Sequence, residues 1–295
     1  MKKNLWLVAA VCLCVGGSSA VRAQEPAYSG PPKVIRIGRE DVKPGKGVGH
    51  TKMETAWARA FADAKVTDNW IGLTPVSGNS EVWFISGYDS LATMEKNTQA
   101  VDKNPAWQAL GDKFSTQESE YLSGMRNLVG TFREDLSYMG IKTNVGLMRY
   151  FYVTVVRIRP GHDNDFVEST KISKAAHEKA NVPERWSVFE VSLGMPRGTY
   201  LIIQPLKTLA EVDAFPQTHG QAYRDAVGDD GRKRLTELAN AGLISAETNI
   251  LAFSPQMSMP PAEVAAADPE FWHPKPAKKP APAAKKDDEK PAAKP

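Results

Sequence analysis

The chain has 295 residues, 42% of them hydrophobic and 24% charged, with a formal net charge of +3. That balance is enough for a folded core and excludes a wholly disordered or collagen-like chain. Both cysteines, Cys12 and Cys14, lie before Val15, so the rest of the chain has no disulfide, no thiolate metal site and no cysteine nucleophile.

In chain order, Lys2 and Lys3, an apolar run from Leu5 to Val15 and Val21-Arg22-Ala23 read as a secretory signal over 1–23, cleaved before Gln24. The expected location is periplasmic or secreted. The apolar run falls short of the roughly 20 residues that span a bilayer, so no transmembrane anchor is expected. A lipoprotein site is disfavoured too, because Val11 and Leu13 precede the cysteines where a small residue is needed.

A strand is expected over 33–42, stopped by Pro44-Gly45. A helix follows, with Met53, Ala56, Trp57, Ala60, Phe61 and Ala64 at 3- and 4-residue spacing turned toward a sheet. Strands over 70–76 and 81–86 flank the turn composition Ser77-Gly78-Asn79-Ser80. Helices over 90–100 and 105–122 and a strand over 127–132 complete the set. Further strands are expected over 149–159, 186–192, 199–204 and 249–253, and helices over 163–181, 208–214 and 221–241, the last broken near 228–231.

From 274 to 295 the chain is Lys, Pro and Ala, and this tail is expected to be disordered. Seven lysines against three acids give it +4, and Lys2, Lys3 and Arg22 add +3, so residues 24–273 carry −4 of the whole chain's +3. A mildly acidic folded part argues against nucleic-acid binding. The tail reads as solvated, with contact to an anionic envelope polymer as the competing reading.

The two sets are copies. A shift of 116 takes Val42-Lys-Pro-Gly45 to Ile158-Arg-Pro-Gly161, Trp70 to Trp186, Phe84 to Tyr200 and Trp107 to Tyr223. The expected domains are 33–140 and 148–257, each β-α-β-β-α-β, the ferredoxin-like order of an α+β fold. The element order, the Pro-Gly loop after the first strand and the aromatic opening the second resemble the dimeric α+β barrel superfamily. That group includes antibiotic-biosynthesis-monooxygenase-like, NIPSNAP-like and haem-binding chlorite-dismutase-like proteins. The resemblance implies that two tandem ferredoxin-like repeats form one intramolecular, pseudo-dimeric barrel. It also implies pockets between sheet and helices, and a cofactor-independent monooxygenase or a haem-dependent enzyme as one reading.

Local motifs decide little. Gly45-Lys46-Gly47-Val48-Gly49 lies between strand and helix, but His50 stands where a dinucleotide loop needs its third glycine, so nucleotide binding is rejected. There is no G-x-S-x-G, no H-E-x-x-H and no calcium loop, and no metal site is expected. Asp163 or Asp165 is expected to cap the helix after His162, with Glu168 completing the box. The aromatic excess of the first copy is assigned to the interior and the seam between copies.

One asymmetry points to a site. The shift maps Met53, Ala56, Trp57, Ala60 and Phe61 onto Ser169, Ile172, Ser173, Ala176 and His177. Antiparallel helices would bring His177 near His219 and Tyr223. A small apolar or aromatic ligand is therefore expected against His177, His219, Tyr223, Ser169 and Ser173, between helices and sheet of the second copy. On these residues no cofactor is expected, and haem enters only through the resemblance. The readings are an exported ligand-binding protein, an enzyme of the barrel type, and a structural or scaffolding protein.

Overall fold

The computed structural model describes residues 29–218 and 220–273. The expected signal over 1–23, the tail over 274–295 and His219 lie outside the described residues. The first half comprises β1 (Val34–Val42), α1 (Gly47–Asp63), β2 (Ile71–Pro75), β3 (Glu81–Tyr88), α2 (Leu91–Asp102), α3 (Pro105–Glu118) and β4 (Leu122–Tyr138). The second half runs in the same order: β5 (Tyr150–Ile158), α4 (Asp163–Ala180), β6 (Trp186–Leu193), β7 (Thr199–Leu206), α5 (Ala210–Thr218), α6 (Gln221–Gly242) and β8 (Leu243–Phe253). Two short helices follow, α7 (Ala262–Ala267) and α8 (Pro269–Trp272).

Local chemistry sets the boundaries. The turn before α1 uses Gly45 at φ 76°, a region open to glycine. Ser90 Oγ accepts from Thr93 N at 3.1 Å to start α2. Asn104 does the same for α3, with Pro105 as its first residue. Asn181, left-handed at φ 51°, ends α4. The expected break in α6 is a kink at Gly228, φ 71°.

All eight strands close an antiparallel barrel in the order β1-β3-β2-β8-β5-β7-β6-β4. Two seams join the halves. At one, Leu73, Thr74 and Pro75 of β2 face Phe253, Ala252 and Leu251 of β8. At the other, β4 pairs β6 from Val129↔Leu193 to Tyr138↔Trp186. Closure leaves no strand edge unpaired. Alternate residues fill the interior: Ile35, Ile37, Leu73, Trp83, Leu128, Val153, Phe189, Leu201 and Leu251 are all buried in one cluster. The helices pack outside, where Phe166 of α4 meets Val156, Ile158, Val188 and Tyr200.

Several expectations need correcting. β4 starts at Leu122 and runs to Tyr138, not 127–132, because β1 pairs its first part and β6 its last, holding polar residues in the ladder. β8 likewise starts at Leu243 against Ile158. Trp57 does not face the sheet. It is half-buried and lies against Trp107 and Phe114 of α3, at 4.7 and 5.2 Å, while His50, Met53, Glu54, Ala58, Ala60 and Phe61 take the buried positions. The first-copy aromatics thus divide between Trp83 in the interior and a ring cluster in the outer helix layer. The expected cap of α4 is absent as well: Asp163 accepts from the Tyr200 hydroxyl, Asp165 binds His162 and Glu168 pairs with Arg234.

Candidate functional site

After β8 the chain lies over one end of the barrel, which the sequence reading did not anticipate. Trp70 Nε1 donates to the Met257 carbonyl at 2.8 Å, and Gly72 N donates to Ser258 Oγ at 2.9 Å. A Cβ on Gly72 would sit 2.9 Å from the Met257 carbonyl oxygen, so glycine is what lets this segment lie on β2. Further on, Trp272 Nε1 donates to the Gly146 carbonyl at 2.9 Å. Arg149 pairs with Asp268 and stacks over Phe271, 3.8 Å from its centroid. These contacts hold α7 and α8 as a cover.

Between cover and barrel is a cavity of about 820 Å³. Its floor is apolar, made by Ile35, Ile71, Ile85, Phe151, Phe189 and Ile203, residues from both halves. Pro261 and Val264 line it from the cover, and Asp68, Trp70, Tyr88 and Asn97 from the rim. The size lies within the range of ordinary ligand pockets, about 300–1,000 Å³.

The rim has defined chemistry. Asp68 is buried, and its carboxylate accepts from Arg36 Nη2 at 3.1 Å, the Tyr88 hydroxyl at 3.2 Å and Asn69 N at 3.1 Å. Burial pushes the Tyr88 phenol upward, against the opposing pull of Arg36 and with help from Asp68. Tyr88 therefore stays a neutral phenol at physiological pH. An apolar floor with a phenol and an anchored carboxylate at one edge suits a largely apolar molecule that carries one hydrogen-bonding end.

The site expected from sequence is partly assembled. His177 and Tyr223 meet with ring centroids 4.7 Å apart, and Trp186 lies 4.8 Å from His177. His177 is buried, its Nδ1 donating to the Ser173 carbonyl at 2.7 Å and its Nε2 lying 2.8 Å from Glu184 Oε2. Ser169 turns its hydroxyl to the Phe166 carbonyl of its own helix, at 2.9 Å. His219 lies outside the described residues. With both ring nitrogens engaged, His177 does not fit the axial ligand that a haem in this place would need.

Sequence reasoning missed the rim residues. Asp68 and Tyr88 sit at the ends of different segments, and no local spacing shows that those ends share one barrel mouth.

No protein-family model matches the chain, and no curated protein matches it. Solved structures do. An anthrone oxidase-like protein is 14% identical with a TM-score of 0.50, over 75% of this chain and 91% of that one. A chlorite dismutase variant from Candidatus Nitrospira defluvii is 10% identical with a TM-score of 0.43, over 77% and 92%. A NIPSNAP family protein from Agrobacterium tumefaciens is 18% identical with a TM-score of 0.30, over 37% and 94%. The fold shared with these structures is a mixed α+β one with a closed eight-strand antiparallel barrel. At such identities the likeness extends to the fold and not to activity.

Proposed function

We propose that this is an exported small-molecule-binding protein, a tandem pair of ferredoxin-like repeats whose ligand sits in the barrel mouth. The observation that carries the reading is the covered cavity of about 820 Å³ with its apolar floor and the Asp68–Tyr88 pair on its rim. The ligand class is a ring-sized, largely apolar molecule with a hydroxyl or amine directed at Asp68 and Tyr88. Export rests on Lys2, Lys3, the apolar run and Ala23. Intact mass of protein recovered from its native source should correspond to a start at Gln24, and a full-length species would refute export.

Calorimetric titration with 2-naphthol tests the binding reading. Ile203→Trp fills the floor and should abolish binding while the fold, read by circular dichroism, persists. Undiminished binding by that variant places the ligand elsewhere. His177→Phe then tests the second-repeat site of His177, His219, Tyr223, Ser169 and Ser173, for which the meeting of the His177 and Tyr223 rings speaks.

The enzyme reading is a cofactor-independent oxygenase at the same cavity, favoured by the phenol and carboxylate facing an apolar, ring-lined space. The anthrone oxidase-like neighbour makes anthrone the substrate to try. Oxygen uptake that depends on Tyr88 would support this reading, and anthrone bound without oxygen uptake would leave the binding reading.

A further inference from the structure

A second polar site lies away from the barrel mouth, between the outer face of β1 and the helices of the first half. Glu40, which alternates with the interior-facing positions of β1, meets His50 and Glu54, one turn apart on α1, and Glu118 at the end of α3. Their exposures are 7%, 1%, 6% and 8%. Glu118 is the buried residue of α3, where an apolar side chain would be expected. One donor atom from each residue lies within 4.8 Å of the others. His50 Nε2 is 2.8 Å from Glu40 Oε2 and 3.7 Å from Glu54 Oε1. Glu54 Oε1 is buried and has no hydrogen-bond partner.

Such an arrangement is costly unless something completes it. Buried carboxylate oxygens are nearly always paired, and three acids around one imidazole leave an excess of negative charge. The fold does not require these groups. The 116 shift maps Glu40, His50 and Glu54 onto Val156, Phe166 and Thr170, where Val156 and Phe166 belong to an apolar cluster and Thr170 bonds its own helix at 2.9 Å. Apolar residues do the packing in the second half at lower electrostatic cost.

We propose that Glu40, His50, Glu54 and Glu118 bind one divalent first-row cation, Mn²⁺, Fe²⁺ or Zn²⁺. Three carboxylates and one imidazole are hard-to-borderline donors, which suit these ions and not a thiophilic one. Ca²⁺ takes an all-oxygen shell of six to eight ligands, and a set that places an imidazole nitrogen among its four donors suits it poorly. Four protein donors in a buried place describe a closed, structural site. The ion would tie α1 and α3 to β1, whatever ligand the barrel mouth takes.

Chelator-stripped protein titrated separately with Mn²⁺, Zn²⁺ and, without oxygen, Fe²⁺ tests the site. At least one ion should bind at one equivalent and raise the melting temperature by about 5–10 °C at a hundredfold excess over Kd. Glu54→Gln keeps the shape and should weaken binding more than 10-fold and remove the rise. The half-buried His162–Asp165 pair is a competing imidazole-carboxylate site, and His162→Ala should bind as the parent does. Should Glu54→Gln fail to fold, Co²⁺ added to the unaltered protein should give visible ligand-field bands that one equivalent of Zn²⁺ erases. Absence of stoichiometric binding by all three ions, equal binding by Glu54→Gln, binding lost with His162→Ala, or bands that Zn²⁺ leaves intact would each overturn the proposal.

Discussion

Arg133 shows how single residues secure the seam between β4 and β6. Its guanidinium grips Asp135 through two bonds of 2.9 Å and reaches Glu190 across the seam at 2.7 Å. The Arg133 hydrogen bonds hold the Asp135 carboxyl below its ordinary 3.8. A depressed carboxyl contributes stability above its unfolded pKa and loses it as pH falls through the lower folded one. Asp135 is half-exposed and screened, so Asp135→Asn should cost about 0.5–1 kcal/mol at neutral pH. The difference should fade only below its ordinary pKa, which urea midpoints at neutral and strongly acidic pH would show. His177 is the second case. His177→Phe removes the imidazole from buried Glu184 and should destabilise by about 1–3 kcal/mol in urea unfolding. A gain in stability would instead mark the histidine as kept for a ligand. Comparing the copies exposed this polar exchange, but the Ser173 carbonyl and Glu184 that satisfy the ring were not visible in a spacing. His50 and Glu54 stand four apart in the chain and drew no notice there, because their partners Glu40 and Glu118 belong to other elements.

At the scale of elements, several helix boundaries were legible because their determinants are local. Ser90, Asn104-Pro105 and Asn181 act within one turn of the boundary they set. Strand ends were less legible. Residues 133–135 of β4 are polar; Arg133 is extended against Val188 of β6, and its ion pairs hold Asp135 and reach Glu190. The cover was not legible at all. Its helices are short, at 6 and 4 residues, and they are held by tertiary contacts rather than by helix propensity. Trp272 is 2% exposed and bonds the Gly146 carbonyl. Trp272→Ala should therefore cost about 3–5 kcal/mol and open the barrel mouth. Denaturant melts measure the first effect, and increased binding of an apolar fluorescent probe measures the second.

For the whole molecule, closure couples the halves. β2 and β8 meet across residues as distant as Leu73 and Phe253, and β4 meets β6 across Phe132 and Phe189, whose rings lie 5.5 Å apart. Residues 33–140 alone would leave β2 and β4 each without one neighbour and bare the Ile35, Ile37, Trp83 and Leu128 face. That fragment should form dimers or larger species by light scattering, because exposed apolar faces and open strand edges associate. A stable monomer would show that the first half does not need the second. Among the described residues no helix is long and apolar enough to cross a membrane.

By itself the sequence determined the order of elements as far as β8, most helix boundaries and the lack of cysteine beyond Cys14. These follow from periodicity, capping and composition, which act over a few residues. Only the tertiary structure decided that the barrel closes at two seams, that its mouth lies beneath residues 255–273, and that Glu40, His50, Glu54 and Glu118 share one buried space. Each of these depends on which surfaces face one another across long stretches of chain. A glutamate on a strand reads as solvated until the helix packed over it is known.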